Sequence, residues 1–313
     1  MMRILMLGAG GIGGYFGARW IQAGADVGFL VRPARQARLR AEGLVVQTPR
    51  ERFSVPVTTY TRDHVDGEFD LIVLSPKAYD LDDAIASVRD VAGRPLLLPL
   101  LNGLDHLDVL DREFGRERVM GGVAHIAATL SEDGVVVQLG ALHRLTFGHR
   151  HPEQLDMALA LERLGRNAAF DSQRSDDIVQ VLWDKWVFLA TLAGMTTLLR
   201  AAVGQIVAAP GGDRASREMY EACCTVAAHH GHPIGQPARD EALAMLLAPG
   251  SPFTASMLRD LQAGRRTEHE HILGAMVRRA DAAGITCPGL RLAYLALAIA
   301  QAEGRAATGQ SAH

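Results

Sequence analysis

The chain opens on a short apolar run, Met2 to Leu7, that passes at once into Gly8-Ala9-Gly10-Gly11-Ile12-Gly13 and then into a helical pattern through Ile21 that stops at Gly24. That order reads as strand, glycine turn and helix. Gly8, Gly10 and Gly13 satisfy G-x-G-x-x-G in the context that gives the motif meaning, directly after a strand and opening a helix. Glycine at such a turn lets the backbone approach a pyrophosphate, and the helix N-terminus adds unpaired N–H groups and positive partial charge. A turn made glycine-rich only for tight packing is the plainer alternative. The context favours dinucleotide binding, with Gly8, Ala9, Gly10, Gly11, Ile12 and Gly13 as the binding turn. Five glycines between Gly8 and Gly14 also interrupt what could pass for the apolar stretch of a signal peptide after Arg3.

Beyond this unit, Ala25 to Arg32 reads as a second strand, and Leu44 to Val57 as a hairpin broken by Thr48-Pro49-Arg50. Phe69 to Leu74 and Pro95 to Leu101 are two more buried apolar runs. Strands alternating with helical segments imply parallel βαβ units. Val119 to Leu130, Val135 to Leu139 and Leu142 to Phe147 are further strand candidates, with a turn at Asp133-Gly134, and are expected to complete the same sheet. From the polar stretch Asp171 to Asp177 onward the pattern turns to long Ala/Leu-rich segments with a 3.6 period. The expected fold is therefore α/β: a Rossmann-type dinucleotide-binding domain over 1–174, then an all-α domain over 175–313 whose last residues, Glu303 to His313, read as a frayed tail.

The charges nearly cancel, 32 Lys+Arg against 35 Asp+Glu. No polycationic footprint exists for a phosphate backbone, so nucleic acid is excluded as a partner. Cys223, Cys224 and Cys287 are the only cysteines and contain no C-x-x-C pair, which suits a reduced, cytoplasmic chain. The most apolar stretch, Trp186 to Leu199, is shorter than the ~20 residues that cross a bilayer and reads as a buried helix, so no membrane partner is expected.

At the end of the second strand an NAD enzyme wants Asp or Glu for the ribose 2′-hydroxyl, whereas here stand Arg32-Pro33, with Arg35 close behind. Arg32 suits a 2′-phosphate and hence NADP(H), and Pro33 keeps it extended. The bland alternative makes Arg32, Arg35, Arg38 and Arg40 a solvated helix face. Lys185 places one cation at the mouth of a long apolar helix, where a lysine usually snorkels to water. Ser256 and Glu268 stand twelve apart on a helical pattern, and the bland role for Glu268 is a surface carboxylate paired with arginine. His269-Glu270-His271 lacks the H-E-x-x-H spacing, since Leu273 stands where the second histidine belongs, and no metal is expected. His229, His230 and His232 precede Pro233 at a helix end, where imidazoles cap carbonyls or face solvent.

Taken together, the N-terminal motif with Arg32, Ser75-Pro76-Lys77-Ala78, Leu101-Asn102-Gly103-Leu104, Trp183-x-Lys185 and Ser256-Met257-Leu258 through Thr267-Glu268 resemble the ketopantoate reductases (2-dehydropantoate 2-reductases) nearly end to end. The resemblance implies a Rossmann domain and a helical domain, with NADPH and a 2-oxo acid meeting in the cleft and pantoate formed from ketopantoate. It carries over Lys185 as the catalytic lysine, Glu268 as the active-site carboxylate and Ser256 as a ligand of the substrate carboxylate. Asn102 becomes a neighbour of nicotinamide and substrate, and Lys77 a cofactor-side contact. The chain departs from the family where asparagines surround the polar substrate, at Leu189, Ala193 and Val203. Offsets of four and eight keep Leu189 and Ala193 on the Lys185 face, which makes that substrate-binding wall apolar and points to an alternative, more apolar 2-oxo acid. An NADP-binding sensor without chemistry is the rival from another class. Apolar surface on segments such as Gly289 to Ala302 suits a homodimer through the helical domain.

Overall fold

A computed structural model describes residues 2–307 of the chain. The elements run β1 (Arg3–Leu7), α1 (Gly11–Gln22), β2 (Asp26–Leu30), α2 (Pro33–Glu42), β3 (Leu44–Gln47), β4 (Arg52–Val55) and β5 (Thr58–Tyr60). Then come β6 (Leu71–Leu74), α3 (Leu81–Val88), β7 (Leu96–Pro99), α4 (Asp105–Phe114), β8 (Gly121–Leu130), β9 (Val136–Gly148), α5 (Leu155–Gly165) and β10 (Asp171–Arg174). The rest is helical: α6 (Ile178–Leu199), α7 (Val203–Ala208), α8 (Gly212–His229), α9 (Gln236–Leu246), α10 (Ser256–Gln262), α11 (Ala275–Ala282) and α12 (Pro288–Ala307). The fold is thus the expected α/β domain followed by an all-α one.

The chain packs as two compact units, Met1–Leu101 with His106–Val181, and Asn102–Asp105 with Leu182–His313. The division falls inside α6, a few residues after the expected 174/175, and it assigns the four residues Asn102–Asp105 to the helical unit. α12 runs through Ala307, so helix replaces the first part of the expected frayed tail; residues 308–313 lie outside the described ones.

In the first unit a five-stranded parallel sheet has the order β5-β2-β1-β6-β7. Its central strands read as unbroken apolar runs because both faces are covered; Leu71, Ile72, Val73 and Leu74 are all fully buried. The later strands do not complete this sheet. They form a second one, β10-β9-β3-β4 with β8 paired to β9, and the runs expected at 135–139 and 142–147 are one 13-residue strand, β9. The polar segment at 171 opens with β10, a short edge strand parallel to β9 whose residues are exposed or half-buried. A strand that buries little gives no apolar signal.

α1 explains why two sheets form. Its buried residues run consecutively from Gly13 to Trp20, so no stripe of this helix faces water, and such a helix must be covered on all sides. It packs on β1 and β2 of the parallel sheet and on β8, β9 and β3 of the other. Glycines make both approaches possible: a Cβ at Gly17 would lie 2.6 Å from the Phe29 ring, and one at Gly14 would lie 2.7 Å from Val136 Cγ2.

Trp186–Leu199 belongs to the 22-residue α6, which is long and apolar enough to cross a membrane, although 61% of its most apolar window is buried inside the protein.

A Cβ at Gly13 would stand 2.6 Å from the Gly8 carbonyl oxygen and overlap Ser75 Oγ, whereas one at Gly10 meets nothing within 4 Å. Gly13→Ala should therefore cost about 1–3 kcal/mol of stability as an overpacked core position. Gly10→Ala, which meets no atom but replaces the glycine that caps α1, should cost less, at most about 1 kcal/mol. Urea denaturation of the two variants checks this, and equal midpoints would contradict it.

Candidate active site

Of the expected cofactor residues, Gly8 to Gly13, Arg32 and Lys77 lie in the first unit, whereas Asn102 belongs to the second. The Gly8 amide donates to the Leu30 carbonyl at 2.9 Å, and its φ of +94° needs glycine. Gly10 caps α1 in an extended conformation (φ −88°, ψ −162°) and keeps an open side. Ala9 is buried, while Gly11 and Ile12 in the first turn are half-buried. A dinucleotide fits this cradle, because unpaired amides of a 12-residue helix meet a backbone that no side chain obstructs.

Arg32 caps α2 in the extended conformation that Pro33 imposes (φ −66°, ψ 151°), is exposed, and makes no ion pair or side-chain hydrogen bond among the described residues. Its neighbours are committed elsewhere. Arg35 donates to the carbonyls of Gly134 (2.8 Å) and Ala9 (3.0 Å), and Arg38 pairs with Glu42 and the Glu132 carbonyl. Arg35 thus braces the glycine turn itself, a role that local sequence could not reveal because its partners lie 26 and 99 residues away. Lys77 stands, half-buried, at the start of the short 3₁₀ turn that follows β6.

The expected acid–base residues lie in the second unit. Lys185 is not at the mouth of its helix but in the third turn of α6, among the buried Leu182, Trp183 and Trp186. Its ammonium donates to Asn102 Oδ1 at 2.9 Å. Burial pushes the Lys185 ammonium down to about 8, while the charge of Glu268 works the other way. Glu268 is itself buried, so it is not the exposed partner of a surface arginine.

Ser256 and Glu268 do not share a helix. α10 ends at Gln262, Gly264 takes a φ of +64°, and Glu268 directly precedes a new helix. That helix starts with a π-helical turn, Glu270–Gly274, before α11; such turns gather at functional sites. The Ile272 carbonyl accepts from Trp186 Nε1 at 3.0 Å, and the His271 carbonyl comes so close to Gly103 (φ +80°) that a Cβ there would be 2.6 Å away. Ser256 opens α10, half-buried.

Of the three apolar replacements only Leu189 shows surface; Ala193 is fully buried and Val203 is 2% exposed. Phe188 stacks on Phe253, with ring centroids 6.4 Å apart and planes 15° from parallel. His230, exposed as expected, and His232, half-buried, each stack on Trp183. His269 is buried, bonded to Thr267 Oγ1 at 2.9 Å and stacked on Tyr294. Burial pushes the Cys223 thiol up to about 12 and that of Cys224 to about 11, which leaves both unreactive.

Two family models cover almost the whole chain: ketopantoate reductase PanE/ApbA over residues 4–152, and ketopantoate reductase PanE/ApbA C terminal over 177–301. The chain belongs to the ketopantoate reductase family. It is an oxidoreductase of the pyridine-nucleotide-dependent kind. Among curated relatives, the uncharacterized oxidoreductase YkpB of Bacillus subtilis is 31% identical over 303 residues, 96% of this chain and all of that one. A solved 2-dehydropantoate 2-reductase from Geobacter metallireducens GS-15 is 28% identical, with a TM-score of 0.86 over 96% of this chain and all of that one. A D-mandelate dehydrogenase solved with NADH and anilino(oxo)acetate shares the fold, with a TM-score of 0.86 at 20% identity over 97% of this chain and all of that one.

One signal in the sequence of this family member singles out two of the candidate residues: of its 32 basic residues, only Lys77 and Lys185 are lysine. Arginine serves wherever a fixed positive charge suffices; lysine alone can lose its proton near neutrality. Reductive ¹³C-methylation should accordingly give two lysine NMR signals besides the N-terminal one, assignable with Lys77→Arg. The Lys185 signal should titrate near pH 8, and Glu268→Gln should lower that midpoint, because it removes the charge that favours the ammonium. A Lys185 midpoint near 10 would contradict the site as described.

Proposed function

We propose that the protein reduces a 2-oxo acid to the 2-hydroxy acid with NADPH, ketopantoate to pantoate being the reaction its family points to. The observation that carries this reading is the ammonium of the half-buried Lys185, held by Asn102 Oδ1 and biased by the charge of Glu268. Bound nicotinamide supplies the hydride that reaches C2 of the substrate. As that hydride arrives, negative charge grows on the carbonyl oxygen; Lys185 Nζ stabilises it and transfers a proton to it, giving the hydroxyl and a neutral amine that solvent reprotonates. Asn102 orients the ammonium, Glu268 keeps it charged, and Ser256 receives the substrate carboxylate. Ala193, fully buried, contributes to the wall through packing behind Leu189. Gly8 to Gly13 and Lys77 hold the dinucleotide, and the uncommitted Arg32 receives the 2′-phosphate. Three buried free cysteines suit the reducing cytoplasm. On α12, Leu292, Leu295 and Ile299 are each more than half exposed at helical spacing, a stripe that supports a homodimer through the helical unit.

A second reading concerns the substrate. Leu189 and Phe188 follow Lys185 by four and three residues, on its face of α6, and Phe188 stacks on Phe253. This surface offers a substrate hydroxyl nothing to bond, which costs about 1–3 kcal/mol for a buried group. It suits an alkyl or aryl 2-oxo acid instead.

NADPH oxidation with a panel of 2-oxo acids tests the proposal, and binding without turnover on any of them would leave a sensor. Ketopantoate exceeding 2-oxoisovalerate and longer alkyl analogues by about a hundredfold or more in kcat/KM would sink the apolar reading. Lys185→Ala should lower turnover by about 10²–10⁴-fold with NADPH binding retained. Arg32→Ala should weaken NADPH by about 1.5–3 kcal/mol and leave NADH almost untouched, as calorimetric titration can show.

A further inference from the structure

The Asn102–Asp105 segment is flanked on both sides by residues of the first unit, yet it packs with the helical one. Three contacts hold it there. At one end Asn102 Oδ1 accepts from Lys185 at 2.9 Å; in the middle Gly103 lies against the His271 carbonyl; at the other end Asp105 Oδ1 accepts from Arg279 at 2.6 Å. Arg278 reaches the same carboxylate only at 3.5 Å and is 56% exposed. Arg279 is fixed in its turn: its guanidinium lies 4.9 Å from the ring centre of Trp186, whose Nε1 is bonded inside the core and whose chain neighbour is Lys185. The contacts close a ring, from Lys185 through Asn102, Asp105, Arg279 and Trp186 back to Lys185.

We infer that Arg279 is a positioning residue: through Asp105 it holds the Asn102 side chain on the Lys185 ammonium. The inference rests on the reading of Lys185 as the proton donor. A four-residue segment with glycine at its second place swings easily unless both ends are tied. With Asp105 released, the segment keeps the Gly103 packing and the Asn102 hydrogen bond but loses its one charged tie. The Asp105–Arg279 pair is itself partly solvated, and pairs of that kind contribute little to stability. Its removal is therefore expected to act at the site more than on the fold.

The test uses the full chain and the two-lysine NMR titration, with variants Arg279→Ala and Asp105→Asn. Loss of the Asn102 acceptor disfavours the ammonium, so positioning lowers the Lys185 midpoint in both variants, by about 0.5 pH unit or more. A direct charge effect would do otherwise, raising the midpoint when the cation is removed and lowering it when the anion is. The double variant should shift no further than either single one, and Asp105→Glu, which keeps the charge, should restore part of the change. Turnover of whichever of ketopantoate and 2-oxoisovalerate is reduced should fall about tenfold or more in each single variant, with KM for NADPH unchanged. A midpoint that stays put, or moves in opposite directions in the two variants, overturns the inference. If Arg279→Ala does not fold, Arg279→Gln, which also removes the cation but keeps most of the side chain's volume, decides by the same readout. Failure of the underlying reading looks different: Lys185→Ala would then keep its activity.

Discussion

An ammonium withdrawn from water must have its donors met and its charge balanced, and Lys185 imposes that demand on the helical unit. The residues one turn away from it on α6, Val181, Leu182, Phe188 and Leu189, are apolar. Its partners therefore come from outside the helix: Asn102 from a segment far away in sequence, and Glu268 from the approach to another helix. Neither partner removes the cost of burial altogether. The residual cost brings the group near to losing its proton at ordinary pH, as the proposed role of general acid requires. Trp186 and the π-helical turn then fix the height of α6 against the residues that follow Glu268.

The glycine turn shows both the reach and the limit of reading such a chain from its sequence. Gly8, Gly10 and Gly13 have the spacing that a dinucleotide cradle requires, and strand, turn and helix stand where that spacing puts them. Gly14 and Gly17 carry a second message outside the motif, that α1 is gripped from two sides. Periodicity could not deliver it. Apolar runs identify strands but do not say which strands pair, so β8 and β9 read as extra members of one sheet until the burial of α1 demanded another. β10, polar and at an edge, had no apolar pattern to offer.

The site divides in a similar way. Residue type at a fixed spacing carried the cradle and Arg32, where Pro33 dictates the backbone of its neighbour. Lys185 looked like an ordinary helix-end cation, because burial is a property of the packed helix and not of its local sequence. Its near-uniqueness as a lysine was visible all along. Asp105, Arg35 and Arg279 were silent, since an arginine that braces a distant carbonyl or carboxylate is indistinguishable, residue by residue, from one facing solvent. His230 and His232 likewise give no hint of the tryptophan that lies against them.

The choice of arginine over lysine also governs how the whole molecule meets base. Guanidinium groups keep their protons far into the alkaline range. The chain has only five tyrosines and three cysteines besides its two lysines, and the thiols are buried and pushed upward. Once its twelve histidines and the α-amino group have lost their protons, above about pH 8.5, its surface charge therefore changes little until well above pH 9, so colloidal behaviour and long-range attraction of anions hardly change over that interval. Over that interval the solvent sees an almost fixed charge, and Lys185, which burial brings down to about 8, completes the loss of its proton away from the surface.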